Sequence, residues 1–235
     1  MLRLQDRVND QVDREKRTLE NFALDFRVAA PGIIMAVDYM RQTCTVQLAL
    51  KERFSDAKGH VKWLKIPLLP DVPFFVYSGG GYCLTLPIQI GDDCLVVFGD
   101  NCIDAWWQNG GVQNQIERRR HDLSDGFAIV GFRSQPQIIT NYNPTTTQLR
   151  NKTGTAYIEI AGDTINIKAT NVNITSTKDV TETIGGNLTK NIGGAAKTNA
   201  GSVDIGGSTT IDGRTFLGHT HGGVDSGPSS TAGVN

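Results

Sequence analysis

The 235-residue sequence predicts an all-β protein built from two joined architectures and led by a single helix. Three observations carry that expectation. Short runs rich in Ile, Val and aromatic residues fill residues 26–133, with Pro and Gly between them. Fifteen of the seventeen aromatics precede residue 151, so the large side chains that fill a compact core are confined to the front. Behind them, fifteen of the 26 glycines and fifteen threonines surround regularly spaced Ile and Val, the composition of a thin repeat.

Residues 1–25 form the leading segment. Leu4, Val8, Val12, Leu19 and Phe22 recur at steps of about three and four residues, which predicts a helix over residues 4–25. Glu15 and Lys16 interrupt that thin stripe. Such a helix is unstable alone, so it either docks on a partner or neighbouring subunit or folds back on its own domain.

Residues 26–133 follow as strands. Ile33–Val37 and Cys44–Leu48 flank a turn at Asp38–Thr43; then come Val61–Leu69, Phe74–Tyr77, Tyr82–Ile88, Cys94–Phe98 and Phe127–Phe132. This many short strands in about 100 residues predicts a small barrel, with the OB-fold the leading candidate. Trp106-Trp107 is read as a hydrophobic plug at the barrel end. The tract Glu117-Arg118-Arg119-Arg120-His121 is read as a solvated or subunit-facing surface, not a nucleic-acid site. Asp92-Asp93 and Asp122 are turn residues. The cysteines at 44, 83, 94 and 102 have no C-x-x-C spacing and are read as small buried hydrophobes.

Residues 134–150 carry linker chemistry in Ser134-Gln135-Pro136 and Asn143-Pro144. Residues 151–212 repeat. Ile184-Gly185-Gly186 recurs eight residues later as Ile192-Gly193-Gly194. Ile158/Ile160, Ile165/Ile167, Val172/Ile174 and Val203/Ile205 are i, i+2 pairs, each placing two apolar side chains on one face of a short strand. Small aliphatics alone make a narrow interior. Three chains wrapped about a common axis, an intertwined trimeric β-helix, are the simplest closure; a flexible polar stalk is the alternative.

The apex, residues 213–235, holds His219-Thr220-His221. In one chain this pair is a weak metal site or a plain surface pair. On a threefold axis it stacks two rings of three imidazoles, six nitrogens in octahedral array. Six-coordination disfavours four-coordinate zinc and makes iron the natural ion, structural because no open position remains.

A net charge of -1 argues against nucleic-acid binding through bulk electrostatics. No apolar run reaches the ~18–20 residues of a membrane-spanning helix. The charged first residues lack a secretory signal core. No phosphate loop, nucleophile elbow or His-Glu-x-x-His motif is present, so the expectation is no enzyme and no small-molecule substrate.

Several stretches together resemble a known family, the membrane-piercing central spikes of contractile phage tails and their relatives in pyocins and type VI secretion tips. These are Pro31-Gly32-Ile33-Ile34 with Val37-Asp38, Asp71-Val72-Pro73, and Pro87-Ile88-Gln89-Ile90-Gly91-Asp92. Asp104-Ala105-Trp106 with Gly110, and Arg120-His121-Asp122-Leu123-Ser124-Asp125, continue the series. Gly218-His219-Thr220-His221-Gly222-Gly223-Val224 is similar to the apex signature.

The resemblance implies a homotrimer whose OB-fold collar attaches to a baseplate hub, with residues 1–25 at that attachment. It implies a β-helical needle with one iron ion per trimer near its tip, held by His219 and His221. The mechanical target is the host outer membrane, and the setting is the baseplate tip of a virion made in the host cytoplasm. After His221 this chain runs on for fourteen residues, which are expected to fold back at the tip. The rival readings are a pyocin or secretion-system spike, a receptor-binding fibre, and a cell-wall hydrolase. The hydrolase would need a further domain for which residues 133–150 leave no room, and a glycine-rich end suits a receptor-binding fibre poorly.

Overall fold

The structure is a computed structural model that describes residues 4–56, 58–212 and 214–215. The described chain is mostly β. By its internal contacts it divides into two compact units, Met1–Val172 and Asn173–Asn235.

Helix α1, Leu4–Asp25, falls where the apolar periodicity puts it. Val12, Leu19 and Phe22 stay exposed along it. Strands β1 (Ala29–Asp38) and β2 (Thr43–Leu48) pair antiparallel through a tight turn. Asp38 Oδ1 closes that turn by accepting from the backbone N–H groups of Met40 and Arg41 at 3.0 and 3.1 Å. The chain continues through β3 (Lys51–Ser55), β4 (Val61–Lys65), β5 (Leu69–Pro73), β6 (Tyr77–Gly79), β7 (Tyr82–Leu84) and β8 (Asp93–Phe98). A short helix α2 (Asp104–Asn109) and a long loop lead to β9 (Gly126–Val130).

Five of these strands make one antiparallel sheet in the order β5-β2-β1-β8-β9. Its two outer strands meet again: Phe74, just past β5, bridges Ala128 in β9, and Phe75 N–H donates to Ala128 O at 2.8 Å. The sheet thus curls back on itself, which leaves little open edge. Ile34, Val46, Val96 and Ala128, all fully buried, fill its inside, with Cys44, Cys94 and Phe98 packed around them. β2 and β8 alternate inward and outward residues as half-buried strands should.

Three sequence expectations change here. Val61–Leu69 is two strands and not one, because Pro67 has no N–H to continue a ladder; Gln47 Nε2 donates instead to the freed Ile66 carbonyl at 2.8 Å. Tyr82–Ile88 is strand only to Leu84, three residues short of Pro87. The Trp106-Trp107 pair lies on α2, where no residue is fully buried; Trp106 is 45% exposed and meets Phe127 edge-on at 5.9 Å, and Trp107 is half-buried, so the pair is a partial cover and not a buried plug.

Beyond the curled sheet, β10 (Thr147–Arg150), β11 (Tyr157–Ala161) and β12 (Thr164–Lys168) form an antiparallel meander. In the second unit, β13 (Thr210–Ile211) and β14 (Arg214–Thr215) pair as a short hairpin. Within one chain Val172/Ile174 and Val203/Ile205 belong to no strand, and all four are exposed.

Gly32 marks the tightest point of the curled sheet. A Cβ there would lie 2.5 Å from Val46 Cγ1 and 3.1 Å from Cys94 Sγ, inside the packed core. Gly32→Ala is expected to destabilise the front unit by about 1–3 kcal/mol, measured as a lowered denaturant midpoint at unchanged slope.

Candidate assembly surface

The meander β10-β11-β12 is two-faced, and its register shows how. Leu149 pairs with Ile158 and Ile158 with Ile167; Thr147 pairs with Ile160 and Ile160 with Ile165. Directly paired residues share a face, so six side chains in two adjacent rows, five of them Ile or Leu and the sixth Thr147, make one apolar side. The next row, Gln148, Glu159 and Asn166, lies on the other.

That polar side is well satisfied. Glu159 accepts hydrogen bonds from Gln148 Nε2 (2.6 Å), Thr146 Oγ1 (2.7 Å), Asn166 Nδ2 (3.0 Å) and Asn143 Nδ2 (3.3 Å). These donors, Thr146 and Gln148 foremost, hold its carboxyl below the usual glutamate range. Arg150 ties the preceding loop down by donating to the carbonyls of Thr140 and Asn141.

The apolar side is bare. Ile158, Ile160, Ile165 and Ile167 are 47–67% exposed, while Glu159 on the opposite face is only partly exposed. An ordinary half-buried sheet has the reverse arrangement. Farther along, Ile174, Val180, Ile184, Leu188, Ile192 and Ile205 are also exposed in a single copy. The two rows of the meander are a contiguous apolar surface, a feature found at interaction sites.

A second cluster lies in the front unit and serves a different purpose. Asp125 is fully buried and accepts from Arg119 Nε and Nη2, both at 3.0 Å, and from Ile103 N–H at 3.0 Å. Arg119 also donates to Asp104 (2.9 Å), Glu117 (2.9 Å) and Cys102 Sγ (3.2 Å). Its guanidinium is held protonated even more firmly than usual, chiefly by Asp125 and then Asp104. Cys102, Asp104 and Asp125 bring ligand atoms within 4.8 Å of one another, a spacing a metal ion accepts. Arg119 touches all three, so the chain supplies its own cation there.

The arginine tract is therefore not uniformly a solvated face. Arg120 pairs with Asp100 at the surface, but Arg119 is a structural clamp. The alternation of acids with the tract, Glu117 before and Asp122 and Asp125 after, is the signal that reveals it in hindsight. Asp122 does cap a turn, accepting from Ser124 N–H at 2.9 Å. Cys44 and Cys94 are buried, and burial pushes their thiols up to about 11 and about 12; Cys102 is buried, but Cys83 is exposed. His60 and His121 are not paired with one another; each sits against a carboxylate, Asp56 and Asp100. His219 and His221 lie outside the described residues.

Residues 30–131 match the family described as the phage protein Gp138 N-terminal domain. The match covers the curled sheet and the Arg119 clamp, and it supports a structural phage protein. No curated protein matches the chain significantly.

Two outcomes follow from these geometries. Arg119→Met strands the Asp125 carboxylate in the interior, and the expected loss of stability is about 3–5 kcal/mol, read by chemical denaturation. Glu159→Gln should melt a few degrees below wild type near neutral pH. A depressed carboxyl stabilises above its ordinary value of 4.5 and loses that contribution as pH falls through its folded value, so the gap should close in acid; melting curves across pH check it.

Proposed function

We propose that this chain is the homotrimeric central spike of a contractile phage tail, which pierces the host outer membrane when the sheath contracts. The observation that supports this reading most is the bare isoleucine face of β11 and β12, joined in the same chain to a phage-protein domain. A monomer gains nothing from a sheet whose polar side is satisfied and whose apolar side faces water. Three copies about an axis bury that face against one another.

In this reading the curled five-stranded sheet is an OB-fold collar that joins a baseplate hub. Residues 151–212 are the shaft, an intertwined β-helix in which each copy pairs with its neighbours. Strands so closed have no free edge along the shaft and unfold slowly, which suits a part that must transmit force without bending. The Thr, Asn and Lys residues between the aliphatics keep the outside soluble. No bond is made or broken, so the spike needs no catalytic group and no substrate.

His219 and His221 would hold one iron ion per trimer at the apex. There the ion would link three chain ends that otherwise fray, because the six imidazoles come together only in the assembled trimer.

Light scattering combined with elemental analysis tests the proposal. The expected result is a particle of three chains carrying about one iron; single chains in solution would sink it. His219→Ala and His221→Ala should each remove the metal and leave the trimer assembled, since the apolar contacts lie elsewhere.

A further inference from the structure

Two apolar surfaces stay largely uncovered among the described residues of one chain, apart from a Phe22–Phe26 ring contact at 5.8 Å, and they are complementary. The first is α1. Val12, Leu19 and Phe22 form an exposed stripe, and the helix makes no more than marginal contact with any other helix or strand. Glu15 sits within that stripe, one turn from both Val12 and Leu19.

The second is a groove of about 850 Å³ beneath the β3-β4 hairpin. Phe26, Val28, Leu50 and Trp63 line it, each 43–62% exposed, and Lys51 and Arg53 stand at its rim. Among the described residues the hairpin's strands pair only with each other, and every residue of both is exposed. A two-stranded ribbon of this kind is marginal in water unless something covers it. It is also strongly basic for a chain of net charge -1, with Lys51, Arg53, Lys58, Lys62 and Lys65 against Glu52 and Asp56. Glu52 is already engaged by Arg27.

We infer that α1 of one copy docks in the groove of the neighbouring copy. The inference rests on the trimeric reading above. Its apolar stripe meets the apolar floor, and Glu15 meets the Lys51–Arg53 rim. Packing three α1 helices together on the axis is the poorer arrangement, because it gathers three Glu15 carboxylates with no cation of the stripe between them.

The helix cannot serve its own groove. Only Phe26, Arg27 and Val28 join α1 to β1, and all three belong to the groove's own wall. His121 pins that link, with its ring 3.8 Å from the Phe26 ring and its Nδ1 2.9 Å from the Arg27 carbonyl. Helix and groove are different patches, so the contact is head-to-tail. Repeated about a threefold axis, it closes into a ring.

The test replaces Leu19 with p-benzoylphenylalanine in the full-length protein, co-expressed as tagged and untagged chains. On irradiation, covalent tagged–untagged adducts are expected, with the linked peptides mapping to residues 26–30 or 48–66 of the other chain. Glu15→Lys should lower the adduct yield about fivefold at low salt, and adding Lys51→Glu should restore it. Adducts confined to one chain, or none, in particles that light scattering shows to hold three chains would overturn the docking and leave the trimer standing. Single chains throughout would sink the trimeric reading and the docking with it.

Discussion

The isoleucines of β11 and β12 face water because the other side of their sheet is already committed. Glu159 draws Gln148, Asn166, Thr146 and Asn143 onto the polar face, and that network fixes which way the strands lie. A two-residue alternation leaves no choice afterwards: once Glu159 is turned one way, Ile158 and Ile160 must point the other. The apolar rows then need surface that a single copy does not provide. In the proposed reading, assembly about an axis supplies that surface and makes the shaft stiff.

The curled five-stranded sheet solves the opposite problem. It has aromatic and branched side chains enough to fill a closed sheet, and Ile34, Val46, Val96 and Ala128 do so without outside help. The bridge from Phe74 to Ala128 closes the curl, and the Arg119–Asp125 contact locks the long loop between α2 and β9 against it. A buried ion pair adds little net stability against an apolar substitute, but its geometry is exacting. Here it holds one loop conformation against the sheet.

Two further surfaces belong to neither of these. The β3-β4 hairpin and α1 project from the closed sheet with their apolar residues uncovered. In a threefold particle such projections meet their counterparts automatically, since whatever one copy presents its neighbour receives. The collar and the shaft would then be held by different chemistry: a basic groove with an acidic helix in the first, rows of isoleucine in the second.

Periodicity and composition were enough for the helix at 4–25, for β1, β2, β8 and β9, and for the paired isoleucines, because each is a local pattern of side chains along the backbone. The split of Val61–Leu69 at Pro67 was also written in the sequence, although the apolar run around it masked the break. Contacts between distant residues were not legible in this way. Arg119 and its neighbours at 118 and 120 are chemically alike on paper; only the fold brings Asp104 and Asp125, fifteen positions before and six after, onto one of the three. The Trp106-Trp107 pair shows the same limit from the other side, since two large apolar residues advertise full burial but a six-residue surface helix covers them only in part. Local order follows from the next few residues, whereas burial and charge pairing depend on which remote segments the closed sheet happens to bring together.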